Sequence, residues 1–268
     1  MILLRPSKAM RIAIAGKGGT GKSALTTLLA KVILSSGSFK ILLIDADPAM
    51  GLSHILQIKP QKTIEDLRNE IIVVAGTGGK KQRREAVTTL DYKVFEALVE
   101  TRGFGLLAMG QPTVAGCFCP ANELLRESIE AFSTGFDYVL IDCEAGLEQI
   151  SRKVIRRIDT LVIITDLSLR GIEAAKSIAQ ASRKFTKANR VGLIINRVKD
   201  GGVSVEEIAK AINLEFFGWI PEDDQLAEWD HLGRPLVDLP ATSMAVAAVY
   251  KIVGTILSNN EDRPSLGV

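Results

Sequence analysis

Gly16-Lys17-Gly18-Gly19-Thr20-Gly21-Lys22-Ser23 has the residue types and spacing of a phosphate-binding loop. Glycines at 16, 18, 19 and 21 let the backbone curl until successive N–H groups face one anion. Lys22 supplies a point charge for the outer phosphates, and Ser23 offers a hydroxyl to Mg²⁺. The loop opens a helix whose positive end favours the same anion. The chemistry predicted is binding of a nucleoside triphosphate with Mg²⁺.

Such a metal needs one or two carboxylates beside the phosphate oxygens and waters. Asp142 closes the apolar run 137–141 and suits that role, directly or through water. Four residues on, Gly146 allows a backbone N–H close to the terminal phosphate, as a nucleotide sensor requires. Asp45 and Asp47 follow the apolar run 40–45. A strand-ending Asp is also a common helix cap, but two of them beside a phosphate loop point to catalysis. For the base, Lys199 in Asn196-Arg197-Val198-Lys199 is a donor only, where guanine-specific proteins of this architecture carry an acceptor Asp. ATP is therefore favoured over GTP. Asn196 can hydrogen-bond an adenine edge, with Arg197 and the loop at Pro221 beside it.

Cys117 and Cys119 bracket Phe118 in a segment bent by Gly116 and Pro120. Two thiolates leave a four-coordinate Zn²⁺ or Ni²⁺ shell half filled, and a two-fold dimer would supply four. Four cysteines from two chains could equally hold an iron–sulfur cluster, and small thiols also serve as core filler. Cys143, beside Asp142, could serve as a transient ligand but reads more readily as a buried packing residue.

Lys17 adds a resemblance. A second lysine directly after the first glycine resembles the deviant loop of the SIMIBI-class ATPases, which include MinD, ParA and the nitrogenase iron protein. That likeness implies an ATP-bound homodimer in which Lys17 reaches the partner's phosphates. It implies also that Asp45 lies near the metal and that Asp47 positions the attacking water. The run from Gly116 to Arg126, with Asp142 to Glu148 and Asp166 to Gly171, resembles the CooC-type accessory ATPases over most of residues 10–256. This implies a Cys-x-Cys pair that binds nickel or zinc at the dimer interface, and carbon monoxide dehydrogenase as client. A MinD/ParA-like positioning ATPase and an iron–sulfur cluster carrier or reductase component are the alternatives.

Strand-length apolar runs at 11–15, 40–45, 71–75, 104–108, 137–141, 160–165, 190–195 and 216–220 alternate with helical patterns. Continuous runs such as Ile41-Leu42-Leu43-Ile44 suit strands covered on both faces. The fold predicted is α/β, a doubly wound, mostly parallel sheet. One ATPase domain spans 10–257, after an extension over 1–9 and before a polar tail over 258–268. Residues 76–93, with glycines and a basic cluster, are expected to be the most mobile.

The chain has 268 residues, 47% hydrophobic, enough for one large domain. A net charge of +2 and 5% aromatic residues argue against nucleic acid as the main partner. No apolar run approaches the roughly 20 residues that span a bilayer. Two histidines and three cysteines exclude a His-rich metal store and a disulfide framework. A cytoplasmic protein is expected.

Overall fold

The computed structural model describes residues 3–77, 79, 89–112, 119–143, 157–185, 187–199 and 205–257. Strands β1 (Met10–Gly16), β2 (Ile41–Ala46), β3 (Val99–Glu100), β4 (Phe104–Ala108), β5 (Tyr138–Cys143), β6 (Arg157–Thr165), β7 (Lys187–Val198) and β8 (Glu215–Pro221) form one sheet. Their order is β3-β4-β2-β5-β1-β6-β7-β8. Only the two-residue edge strand β3 runs antiparallel. The doubly wound, mostly parallel sheet predicted is what forms.

The described helices are α1 (Lys22–Ser35), α2 (Gly51–Ile55), α3 (Ile64–Thr77), α4 (Leu90–Ala97), α5 (Cys119–Ser133), α6 (Leu169–Phe185), α7 (Val205–Ala211), α8 (Asp224–His231) and α9 (Met244–Leu257). The pleat splits each strand between two cores. Ile12 and Ile14 pack with α1 and α9, whereas Ala13 and Ala15 face the layer of α3, α5 and α6. Both faces are therefore dry, which is why the strand sequences are apolar without alternation.

Register sets the functional edge. Asp45 lies opposite Asp142 on one side and Ala108 on the other, and Ile14 lies opposite Asp142. The carboxyl ends of β1, β2, β4 and β5 thus finish level, and their loops share one rim. At the far rim, residues before β1 are tied down. The Tyr138 hydroxyl donates to Leu4 O at 3.2 Å, and Arg5 bonds Ser38 O at 2.7 Å and pairs with Asp137 at 3.2 Å.

The expected strand 71–75 is a correction. Those residues continue α3, which starts on a reciprocal cap: Thr63 Oγ1 donates to Asp66 Oδ2 at 2.7 Å and accepts from Asp66 N at 3.2 Å. Ile64, Leu67 and Ile71 recur at helical spacing and are buried, while Val73 is 60% exposed. The β-branched run misled because burial on one helical stripe outweighs local propensity. Residues 76–77 also belong to α3 and 90–93 to α4, so the segment expected to be mobile is helical at both ends; 78, 80–88 and the tail from 258 lie outside the described residues.

Candidate nucleotide site

The phosphate loop leaves β1 at Gly16, where a Cβ would lie 2.3 Å from Ile164 O on β6 and 2.9 Å from Thr20 Oγ1. Gly19 and Gly21 hold positive φ, 80° and 97°, in the left-handed region that disfavours a Cβ. Gly18 does not, and a Cβ there would meet nothing within 4 Å. The loop is pinned from inside by Thr20 Oγ1 donating to Lys17 O at 2.8 Å. From outside, Asn196 Nδ2 donates to Thr20 O at 2.8 Å, while Asn196 Oδ1 accepts from Arg197 N. The amide expected on an adenine edge is here the brace of the loop.

Lys22 is buried in the first turn of α1 and Lys17 is exposed. Ser23 Oγ donates to Asp142 Oδ2 at 2.5 Å. Asp142 is 1% exposed, and its Oδ1 has no donor among the described residues. Burial pushes the Asp142 carboxyl up to about 7; the Ser23 bond opposes this, Asp45 adds to it, and Lys22 opposes it. A buried carboxylate oxygen without a donor is costly unless something cationic meets it. With the Ser23 hydroxyl beside it, the donor set fits Mg²⁺, whose remaining ligands would be phosphate oxygens and water.

Asp45 is fully buried and already engaged. Its Oδ2 accepts from Ser53 N and Ser53 Oγ, both at 2.8 Å, so it caps α2 from a distance. Burial still holds its carboxyl above the ordinary range. Asp47 Oδ1 accepts from Ala49 N at 2.9 Å and so closes a tight turn. Met50 follows with φ 53°, and Gly51 brings α2 so near that a Cβ there would lie 3.1 Å from Ser23 Oγ. The turn carrying both aspartates is in this way keyed to the Ser23 hydroxyl.

A cavity of about 470 Å³ adjoins the loop, walled by Ala24, Leu25 and Leu28 of α1 and by Ile220, Pro221 and Leu226. Arg197, at φ 57°, and Glu222 stand at its polar rim. Its apolar walls and few polar groups suit a flat heterocycle. Asp223 secures the far wall. Its oxygens accept from Gln225 N, Leu226 N, Ser243 Oγ and Ala245 N, joining α8 to α9. Burial raises its pKa, but these four donors outweigh that and hold it below the ordinary range.

Asp166, ending β6, was not among the expected site residues. Its carboxyl is held low by the Ser168 hydroxyl and by the nearby charges of Lys17 and Arg197. The available signal was its place, since Asp45 and Asp142 also end strands. Cys143 is wholly buried in β5, and burial pushes its thiol well up, as for a packing residue. Gly146 and Cys117 lie outside the described residues. Cys119 opens α5 at the same rim, and among the described residues no group of three His, Cys, Asp or Glu side chains is arranged to hold a metal.

Residues 12–236 match the family described as the CobQ/CobB/MinD/ParA nucleotide binding domain. The chain belongs to that family. It is a P-loop ATPase, with the nucleotide rim built as above. An uncharacterized ATP-binding protein of Methanocaldococcus jannaschii is 37% identical, over 93% of this chain and 99% of the relative. The carbon monoxide dehydrogenase accessory protein CooC of Rhodospirillum rubrum is 28% identical, over 86% of this chain and 90% of its own. Among solved structures, the MinD cell division protein of Aquifex aeolicus superposes with a TM-score of 0.68 at 25% identity, over 96% of this chain and 99% of MinD.

Proposed function

We propose that this ATPase is a metallochaperone that dimerises with Mg-ATP and carries Ni²⁺ or Zn²⁺ on Cys117 and Cys119 of both subunits. The observation that carries the reading is the start of α5 at Cys119, on the rim shared with Asp45 and Asp142. Likeness to CooC supports carbon monoxide dehydrogenase as the client.

In this reading the backbone N–H groups of Gly16, Gly18, Gly19, Thr20 and Gly21 cradle the phosphates, and Lys22 neutralises the outer ones. Ser23 and Asp142 hold Mg²⁺, with Asp45 behind them orienting α2. When bound, Mg²⁺ neutralises charge on the phosphate oxygens as the terminal bond breaks. Asp47 orients the attacking water, Lys17 reaches the partner's phosphates, and Gly146 registers the terminal one. Arg197 and Pro221 border the base. Hydrolysis parts the subunits, leaves each with two thiolates, and so frees the cargo. Metal and ATP must then each tighten the other's binding.

A MinD-like positioning ATPase is the second reading, supported by the likeness to MinD along nearly the whole chain. Against it, α9 buries Val246, Val249, Ile252, Val253 and Ile256 on β8 and α1, where a surface-seeking helix would keep an apolar face free. Among the described residues no helix is long and apolar enough to cross a membrane.

The test is titration of anoxically purified protein with Ni²⁺ and Zn²⁺, with and without a nonhydrolysable ATP analogue, read as metal per chain and native mass. One ion per two chains, bound more tightly with nucleotide and lost in Cys117→Ser/Cys119→Ser, is expected. A nucleotide-dependent dimer without metal would turn the reading to the positioning ATPase.

A further inference from the structure

Asp45 is linked to the helix that begins at Cys119 by a continuous series of bonds. Met109, directly after β4, donates its N–H to Asp45 O at 2.8 Å, and its carbonyl accepts from Glu65 N at 2.9 Å, so one residue joins the Asp45 backbone to the first turn of α3. Gly110 makes that approach possible. Its φ is 77°, and a Cβ there would lie 2.4 Å from Oγ1 of Thr63, the residue that caps α3. Within α3, the Glu65 carboxylate holds the Arg68 guanidinium; the two are 2% and 4% exposed. Arg68 Nε then donates to Asn122 Oδ1 at 2.9 Å, across to α5 and one turn after Cys119.

A buried ion pair between two helices is poor value as a source of stability, because desolvation offsets most of the attraction. What it gives is geometry. The guanidinium is a rigid fork that engages Glu65 with one nitrogen and Asn122 with another, which the single ammonium of lysine cannot reproduce. At the other end, Asp45 grips Ser53, and α2 abuts Ser23 at Gly51. A shift of the Asp45–Asp47 turn with nucleotide therefore has a rigid route to the first turn of α5.

We propose that Arg68 is a positioning residue that transmits the nucleotide state of the Asp45–Asp47 turn, through Met109 and Glu65, to Asn122 and the start of α5. The use of this linkage to gate cargo rests on the metallochaperone reading; the linkage itself does not.

The experiment is amide hydrogen exchange of peptides covering 119–133 in the full chain, with and without a nonhydrolysable ATP analogue, for wild type, Arg68→Lys, Asn122→Ala and the double variant. The analogue should slow exchange in wild-type α5 at least about fivefold, the low end of ordinary allosteric coupling. Each single variant should lose that response while its affinity for the analogue stays within about twofold, and the double variant should lose no more than either one, as residues in one series must. Asn122→Ala leaves the Glu65–Arg68 pair intact, so the test stands even where an Arg68 variant does not fold. An α5 response equal in wild type and Asn122→Ala overturns the proposal, and so does a wild-type α5 indifferent to nucleotide. Zn²⁺ titration of the same samples separates the two ideas. Wild type that binds no metal refutes the metallochaperone reading while the exchange data still decide the linkage. Metal binding that keeps its nucleotide dependence in Arg68→Lys refutes the use of the linkage to gate cargo, and a lost exchange response in the same variant still upholds the linkage.

Discussion

Asp142→Asn should flatten the pH dependence of stability of the nucleotide-free protein. In the folded chain the Asp142 carboxyl is pushed from 3.8 to about 7, chiefly by burial, and its Oδ1 lacks a donor among the described residues. In the unfolded chain it ionises near the ordinary value. Between these values the folded state holds the extra proton, so stability falls as pH rises and levels off above about 7. Each unit is worth about 1.4 kcal/mol, so the step from pH 5 to 7 should cost the wild type about 3 kcal/mol as an upper bound. For a chain of this size that is a Tm difference of about 6–12 °C. Asparagine does not titrate; it should cost about 1–3 kcal/mol at pH 5 for an amide poorly matched to the site, and then hold level. Thermal unfolding of wild type and variant from pH 5 to 8 reads this directly. Mg-ADP should restore more stability to the wild type at pH 8 than at pH 5, because the metal requires the ionised carboxylate. Parallel Tm curves for wild type and variant across that range would refute the reasoning, since Asp142 would then be ionised or solvated throughout.

Lys22→Ala should abolish measurable ATP hydrolysis while the far-UV spectrum is unchanged, because the lysine serves the phosphates and makes no ion pair among the described residues; hydrolysis by the variant near the parent rate would remove it from the site. Gly21→Ala should weaken nucleotide binding at least tenfold by calorimetry, since φ is 97° and the new Cβ would lie 2.5 Å from Asn196 Nδ2, the brace of the loop. Asp223→Ala should lower stability by about 2–4 kcal/mol in urea, from four donors left unmatched, and should weaken base binding through α8. The Asp223 bonds also imply acid sensitivity: stability present above the ordinary Asp range is lost as pH falls through the lower folded value, and the variant should lack that component.

The sequence makes the phosphate loop plain because three of its glycines, Gly16, Gly19 and Gly21, are demanded by contact or by φ, which is what a motif records. The sheet was legible for the same kind of reason, since strands buried on both faces leave continuous apolar runs. Ile71 to Val74 has that composition too, and what makes it helix, a cap at Thr63 and burial of Ile64, Leu67 and Ile71, is a tertiary fact. The attachments of the polar side chains were the least legible. Asn196 looks like a base reader and braces the loop, and Asp45 looks like a metal neighbour and caps α2. In each case the partner lies across more than a hundred residues or in a neighbouring turn, where no local pattern reaches.

The strand order has a consequence for how such a protein diversifies. With β1 between β5 and β6, the walls of the base cavity come mainly from α1 and the β7–β8 side, while Asp45, Asp142 and the start of α5 come from the β5-β2-β4 side. The two flanks meet at the phosphate loop and along α1, whose Ser23 lies against Gly51 of α2. Substitutions on one flank can retune which nucleotide is admitted, and those on the other which task its hydrolysis drives, each under separate selection. A lineage could change the task by rewriting the β5-β2-β4 half of the rim and inherit its fuel unchanged.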